Sequence, residues 1–158
     1  MEIRKPKKNP QKEDSVQEFA CNSAEETFNL GKKMAKHLHP GSVTALDGVL
    51  GSGKTVLVKG IAAGLGIKET VTSPTYTIIS EYPFNYHRGQ LTLYHVDAYR
   101  LTGEKDFEEI GGNEILSGNG ICIIEWSGII KNLLPEKKAE VLIEITGQSS
   151  RLVKVKGL

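Results

Sequence analysis

One eight-residue segment, GVLGSGKT at positions 48–55, holds the residue types that grip a nucleotide phosphate. It fits G-x-x-x-x-G-K-[ST] and lies between a predicted strand and a predicted helix. Glycine allows the backbone to curl so that successive N–H groups meet phosphate oxygens at a helix N-terminus. Lys54 would place its ammonium on the β- and γ-phosphates, and the Thr55 hydroxyl would bind magnesium. The predicted nucleotide-binding residues of this loop are Gly48, Gly51, Ser52, Gly53, Lys54, Thr55 and Val56.

Two carboxylates are placed to complete a magnesium site. Glu125 ends the apolar run Ile121–Ile124, and Asp97 follows the predicted strand at residues 91–96. The carboxyl ends of parallel strands meet at one edge of a sheet, where magnesium bound to a nucleotide finds carboxylate oxygens. Each carboxylate could instead be a solvated strand end, and Asp97 could pair with Arg100. We predict catalytic roles for Lys54, Asp97 and Glu125, and metal binding by Thr55 and Glu125.

Three neighbouring features are ambiguous. Trp126 could lie against the nucleotide or fill an ordinary place in the core. His95 could be a general base, but its position in an alternating apolar strand favours a packed, hydrogen-bonded histidine. The hydroxyls of residues 72–75 could reach the γ-phosphate as a switch does, or only bond locally within a turn.

The predicted elements form an α/β domain with a mixed central sheet flanked by helices in three layers. Ser23 and Glu26 have the capping-box pattern and are followed by apolar residues at helical spacing. Eight residues, 83–90, are predicted to join two strands of a long hairpin, and the last two strands could add an antiparallel edge. Helices are predicted at 24–38, 54–65 and 106–110, and strands at 42–47, 75–82, 91–96, 121–124, 140–146 and 151–156.

The first 22 residues are predicted to be a basic, disordered tail, and residues 23–158 the ATPase domain. The first twelve residues carry a formal charge of +4, which leaves −3 for the rest of a chain whose total is +1. That balance lacks the basic excess that drives non-specific binding to nucleic acid, so we expect no DNA partner. No apolar run is long enough for a membrane helix and no apolar signal segment opens the chain, so a cytoplasmic protein without membrane contact is expected. Cys122 is expected to be a buried free thiol.

The type of nucleotide and of reaction follows from which motifs the sequence contains. The strings N-K-x-D and D-x-x-G, typical of GTPases, do not occur, so ATP is preferred. A small-metabolite kinase of P-loop fold is the alternative enzyme. It is weakened by a loop that begins only at residue 48 and by the presence of only four arginines for a charge-neutralising lid. A module that binds ATP structurally without consequential hydrolysis is a third reading.

Four segments together resemble the TsaE (YjeE) family, the P-loop ATPases of bacterial threonylcarbamoyl-adenosine tRNA modification. The resemblance covers about residues 23–146, with Ser52 where the family often has alanine. The segments are GSGKT at 51–55, SPTYT at 73–77, YHVDAYRL at 94–101 and IEWS at 124–127.

This resemblance implies an ATPase that is weak alone and acts as a nucleotide-driven switch beside the transferase subunits TsaD and TsaB. It implies a requirement in modifying tRNAs that read ANN codons, with tRNA engaged indirectly through the complex. By the same carry-over, Thr55 and Glu125 would hold magnesium, Lys54 the phosphates, and Asp97 would support hydrolysis. Ser23, Thr27 and Arg151 are only suggested as neighbours of the adenine.

Overall fold

The computed structural model describes residues 15–74 and 77–158, whose strands form one seven-stranded sheet. Its strand order is β1-β7-β6-β2-β5-β4-β3. The strands β6, β2, β5 and β4 run parallel, whereas β1, β7 and β3 are antiparallel to their neighbours. The strands are β1 (Gln17–Cys21), β2 (Val43–Gly48), β3 (Ile79–Tyr86), β4 (Gly89–Asp97), β5 (Ile121–Glu125), β6 (Ala139–Ile145) and β7 (Arg151–Lys156).

Helices cover both faces of this sheet, which confirms the predicted three-layer α/β fold. The two longer helices, α1 (Ala24–Ala35) and α2 (Lys54–Gly64), pack on one face, and their apolar side chains join the larger core cluster. The short helices α3 (Glu104–Glu109) and α4 (Gly112–Ser117) lie on the other face, with a 3-10 segment at Ser127–Leu133. The central strand β5 is buried along its whole length, as its apolar run predicts for a strand covered on both sides.

The first helix begins as its sequence predicts. The Ser23 Oγ accepts the Glu26 N–H at 3.1 Å, and the Glu26 carboxylate accepts the Asn22 N–H at 2.6 Å. Both bonds satisfy backbone donors that a helix N-terminus leaves free. The helix ends at Ala35, three residues before the predicted end.

The predicted boundary between tail and domain is wrong. Gln17–Cys21, assigned to the tail, forms the edge strand β1 and pairs antiparallel with β7 from Gln17↔Val155 to Cys21↔Arg151. The segment contains Phe19 and the buried Cys21, which pack with the main core, but it is too short to give a clear alternation. The basic residues of the predicted tail lie in positions 1–14, outside the described residues.

The predicted eight-residue hairpin connection is also wrong. β3 and β4 continue to a two-residue turn at His87 and Arg88, with Tyr86 opposite Gly89. His87 has φ +50°, in the region that such tight turns require. The predicted strand ended before Pro83, because proline lacks the N–H that a central strand needs. However, β3 is an edge strand, where a residue without an N–H is tolerated.

Other departures concern short elements and strand direction. Helix α4 and the 3-10 segment Ser127–Leu133 were not predicted, since neither has enough residues to show a period. The late strand β6 runs parallel to β2, so at this end of the sheet only β7 and β1 are antiparallel to their neighbours. The start of the predicted strand at 75–82 falls on residues 75 and 76, which lie outside the described residues. No helix in the described part of the chain has the length and apolar character to cross a membrane.

Candidate functional site

The predicted site residues converge at the carboxyl edge of the parallel strands. Strand β2 leads into the glycine loop, which we define as residues 48–55. Its neighbour β5 ends at Glu125, and β4 ends at Asp97, which lies opposite Glu125 in the sheet register. The fold therefore brings Lys54 and both predicted carboxylates to one crevice, the usual ligand position in open α/β sheets.

The glycine loop holds an open, uncapped helix N-terminus. Gly51 and Gly53 have φ of +78° and +101°, and a β-carbon added at either would meet no atom within 4 Å. Gly53 is the N-cap of α2, and no side chain accepts the N–H groups of the first turn. This turn contains no acidic residue and includes the half-buried Thr55. The arrangement suits an anion, because free N–H groups and the helix dipole both favour negative charge there.

Lys54 lies within this crevice with only 6% of its surface exposed. Its Nζ donates to the carbonyl oxygens of Gly48 at 2.7 Å and Val49 at 3.1 Å, and lies 4.8 Å from the centre of the Trp126 ring. Burial lowers the pKa of Lys54, and the carboxylates of Glu125, Asp97 and Asp47 oppose that shift. These contacts hold a cation in the loop with only neutral partners in hydrogen-bonding range.

Glu125 is fixed by a buried histidine. The Glu125 Oε2 lies 2.5 Å from the His95 Nε2, and the two side chains are 4% and 0% exposed. Of the two readings of His95, the structure supports the packed, hydrogen-bonded one. Since the contact uses one carboxylate oxygen, Glu125 keeps another for a different partner.

Asp97 occupies the end of β4 and begins a 3-10 turn at Ala98–Arg100. Its Oδ1 accepts the Tyr99 N–H at 3.0 Å. No ion pair joins it to Arg100 within the described ranges, so the pairing alternative is not observed. A cavity of about 160 Å³ separates this corner from Ser73 and Thr77, and Asp97 lines it. The loop with the predicted switch hydroxyls thus lies beside the crevice, although Thr75 falls outside the described residues.

A corner that the sequence did not indicate joins β2 to the end of β5. The Asp47 carboxylate accepts both the Ser127 N–H at 2.9 Å and the Ser127 Oγ–H at 2.6 Å. Trp126, which directly precedes Ser127, has φ +56°, and its ring lies 4.9 Å from that of Tyr99. Asp47 therefore holds the chain in the turn that points Trp126 toward Lys54. The available signal was an acidic residue just before the glycine loop, but its partner is 80 positions away.

Arg151 anchors the other side of the glycine loop. Its guanidinium donates to the carbonyl oxygens of Ser52 at 2.9 Å, Gly51 at 3.3 Å, Gly147 at 3.1 Å and Ser150 at 2.8 Å. A cavity of about 300 Å³ opens here and includes Thr27, Val56 and Arg151 among its lining residues. Ser23 does not line it and instead caps α1. Two of the three suggested adenine neighbours thus meet at one cavity.

Three buried side-chain polar atoms among the described residues have no hydrogen-bond partner: the Thr44 Oγ1, the Ser52 Oγ and the His95 Nδ1. Of these, the fully buried Ser52 lies in the glycine loop, next to the N-cap of α2. Buried polar atoms are nearly always satisfied, so an unpartnered one in this loop points to an absent partner. An anionic ligand with its counter-cation fits these residues: N–H groups and an ammonium for the anion, and a hydroxyl with carboxylate oxygens for the cation.

The fold and the crevice define an α/β protein of the P-loop NTPase-like class. The family model described as "Threonylcarbamoyl adenosine biosynthesis protein TsaE" matches residues 21–153. This chain belongs to the TsaE family, whose role is in tRNA threonylcarbamoyladenosine biosynthesis.

Individual relatives agree with the family match. A TsaE protein of Treponema pallidum is 41% identical over 133 residues, which are 84% of this chain and 95% of that protein. A TsaE protein of Bacillus subtilis is 42% identical over 127 residues, covering 80% and 77% of the two chains. The crystal structure of Bacillus subtilis YdiB superposes with a TM-score of 0.68 at 32% identity and covers 91% of this chain and 87% of that one.

Proposed function

We propose that this chain is an ATPase dependent on magnesium that acts as a nucleotide-driven switch with the TsaD and TsaB subunits. It would work in the cytoplasm, with tRNA engaged through the complex. The observation that carries the proposal is the buried ammonium of Lys54 within an uncapped helix N-terminus, facing the strand-end carboxylates. A triphosphate would give this cation the anionic partner it lacks.

The glycine loop would bind the phosphates through its backbone. The first-turn N–H groups of α2 would donate to phosphate oxygens, and Lys54 would exchange its two carbonyl contacts for the same oxygens. The open space at Gly51 and Gly53 leaves room for a phosphate to approach the backbone closely. The Ser52 Oγ would gain a partner within the same loop.

Magnesium would be held by the Thr55 hydroxyl and by the Glu125 oxygen that His95 does not use. Bound there, the ion would neutralise phosphate charge. His95 would keep the Glu125 carboxylate in one orientation, and Asp97, one strand away, would orient a water or couple the site to the loop at residues 72–77. These are the roles expected for Lys54, Asp97 and Glu125 in hydrolysis.

The cavity beside Arg151 would receive the nucleoside. It lies against the loop at Gly51–Gly53, is lined by Thr27 and Val56, and has a volume of about 300 Å³. Trp126 does not line this cavity and lies beside the Lys54 ammonium and Tyr99, so it would line the phosphate end rather than the base.

The switch itself would consist of short segments around the phosphate end. The segment with Ser73 and Thr77, the turn at Ala98–Arg100 and the corner at Trp126 all border the crevice. A bound γ-phosphate would give them a shared contact and so change the surface seen by a partner. Hydrolysis would remove that contact and reset the complex.

The small-metabolite kinase remains the second candidate. It would use the same phosphate grip, but a substrate site and a neutralising arginine would have to lie near the γ-phosphate. Arg100 lines the small cavity beside Asp97 and is the one arginine in that position among the described residues. Transfer of the γ-phosphate to a metabolite, rather than to water, would distinguish this function.

The test is ATP hydrolysis by the purified chain, alone and with TsaD, TsaB and tRNA. We expect slow turnover alone and stimulation by the assembled partners, abolished in Lys54→Ala and in Asp97→Ala. Binding of ATP without stimulation would contradict the switch, and a metabolite-dependent loss of ATP would favour the kinase. Glu125→Gln with full biological function would favour the binding module that holds ATP structurally.

A further inference from the structure

One half of the sheet has a face that no helix in the described residues covers. Helices α1 and α2 pack against one side of β2, β6, β7 and β1, whereas α3, α4 and the 3-10 segment lie over β5 and β4. Burial alternates along β6 accordingly: Ala139, Val141 and Ile143 are buried, while Glu140 and Leu142, which alternate with them, are exposed. The open side therefore belongs to the half of the sheet formed by β2, β6, β7 and β1.

This open side contains a groove with a volume of about 700 Å³. Apolar side chains form much of its floor and walls. Leu142 is 41% exposed and Val16 is 55% exposed, and Ile129 and Leu134 also line the groove. Exposed apolar side chains gathered in one groove are typical of a surface that a partner covers.

Four lysines line the same groove with only two carboxylates, Asp47 and Glu140. Asp47 is already bonded to Ser127, and Lys138 and Lys154 have carboxylate neighbours at 3.9 Å and 3.1 Å. Lys131 and Lys156 have no ion pair within the described ranges. The lining residues thus carry a net charge of +2. By contrast, the whole chain after residue 12 carries a formal net charge of −3. The lysines are Lys131, Lys138, Lys154 and Lys156.

The groove also borders the candidate nucleotide site. Asp47, Trp126 and Ser127 line one end of it, and Trp126 is the residue that contacts Lys54. A partner seated in the groove would therefore press on the corner that faces the phosphates. This gives the surface a physical link to the nucleotide state.

We propose that this groove binds an acidic, amphipathic segment of a protein partner. Such a segment would bury apolar side chains against Leu142, Ile129 and Leu134 and place carboxylates near Lys131 and Lys156. The apolar lining favours protein over RNA, because an RNA backbone would use the lysines and leave the apolar floor uncovered. The inference rests on the proposed function, in which a partner protein reads the nucleotide state.

The test measures binding of the purified TsaD–TsaB pair to the full chain. The variant Lys131→Glu/Lys156→Glu reverses the two lysines without ion pairs, and Leu142→Ser removes the apolar floor at an exposed position. The matched control is Lys59→Glu/Lys68→Glu, with two exposed lysines in α2 and just after it, on the other face of the sheet. Thermal unfolding and binding of ATP by each variant report whether the fold and the nucleotide site are intact.

We expect affinity for the subunits to fall about tenfold or more in each groove variant, with unchanged ATP binding and with no loss in the control. Subunit binding that survives both groove variants would overturn this inference and leave the proposed function in place. An equal loss in the control would also overturn it, since it would show a general charge effect. Loss of tRNA binding with intact subunit binding would overturn it in favour of RNA. Failure of the wild-type chain to bind the subunits would instead overturn the proposed function, and this inference with it.

Discussion

Glycines have opposite structural roles in two regions of this molecule, the glycine loop and the contact between α1 and α2. In the glycine loop, Gly51 and Gly53 have positive φ and open space around the position of an added β-carbon. Between α1 and α2, a β-carbon on Gly31 or Gly60 would collide with backbone atoms of the facing helix. The first pair keeps a surface open, and the second pair lets two helices touch. The difference teaches that the same residue type marks a binding surface or a packing surface according to what surrounds it.

The two regions also differ in how their polar groups are satisfied. The loop crevice contains a buried cation, an unpartnered hydroxyl on Ser52, and a tryptophan with positive φ. The α1–α2 contact is apolar and joins the main core through residues such as Leu57 and Ile61. Stability should therefore be sensitive to the helix contact, and ligand binding to the crevice.

Lys54→Ala is expected to give the largest difference between the effect on ligand binding and the effect on stability. Removing the ammonium takes away the charged partner of the phosphates, which should weaken ATP binding by more than about 100-fold. The free energy of unfolding should not fall, because the buried charge has only carbonyls in hydrogen-bonding range. Isothermal titration and urea unfolding measure the two quantities, with the exposed Lys59→Ala as control. A large loss of stability would mean that Lys54 holds the empty loop together.

The glycine comparison itself is tested by two alanine substitutions. Gly60→Ala pushes a methyl group into the Phe28 carbonyl and should cost about 3 kcal/mol of unfolding free energy, because backbone must move. Gly51→Ala meets no atom and should cost about 1 kcal/mol, for the positive φ alone. Urea unfolding of both variants measures which substitution lowers the free energy of unfolding more. Equal costs, or the reverse order, would break the distinction between an open and a closed region.

A third test concerns His95, which is fully buried like a core residue, yet contacts a site carboxylate. His95→Gln should lower turnover about 10- to 100-fold by freeing the Glu125 carboxylate, as loss of a positioning partner does at other sites. It should also raise the magnesium concentration needed for half-maximal activity, which general destabilisation would not do. His39→Gln, at an exposed position, is the control. An unchanged magnesium requirement would make His95 a packing residue only.

The sequence predicted the centre of this fold better than its margins. The parallel strands β2 and β5 and the helix α2 were predicted to within one or two residues, because apolar runs and the glycine motif act over neighbouring positions. Strand β1 was missed because its stability comes from pairing with β7, whose residues lie 130 or more positions away. The hairpin turn was misplaced because Pro83 stops a central strand but not an edge strand.

The candidate site likewise contains residues that local sequence signals indicated and contacts that the sequence did not indicate. The motif indicated Lys54 and Thr55, and the strand ends indicated Asp97 and Glu125, since each is a local signal. The bonds of Asp47 to Ser127 and of Arg151 to the loop carbonyls were not predictable, because they join segments about 80 and 100 positions apart. The catalytic, metal-binding and nucleotide-binding roles themselves stay predictions.

The smallest expected effect is a dependence of the unfolding free energy on pH, caused by the buried thiol of Cys122. Cys122 lies in β5 and is 1% exposed, and burial raises its pKa from 9.0 to about 12. The folded chain thus holds the proton more tightly than the unfolded chain. The associated stability is fully present below pH 9 and is lost as pH rises toward 12. Between pH 9 and pH 10 the loss should be about 1 kcal/mol.

The measurement is the difference in unfolding free energy between the wild-type chain and Cys122→Ala at several pH values from 7 to 10. Taking this difference cancels other titrating groups, including Lys54, whose lowered pKa makes the chain more stable as pH rises toward 10.5. The advantage of the wild type should be constant up to about pH 8 and then decline. A constant difference up to pH 10 would mean that solvent reaches the thiol, and that the layer behind the crevice is less closed than the packing around β5 indicates.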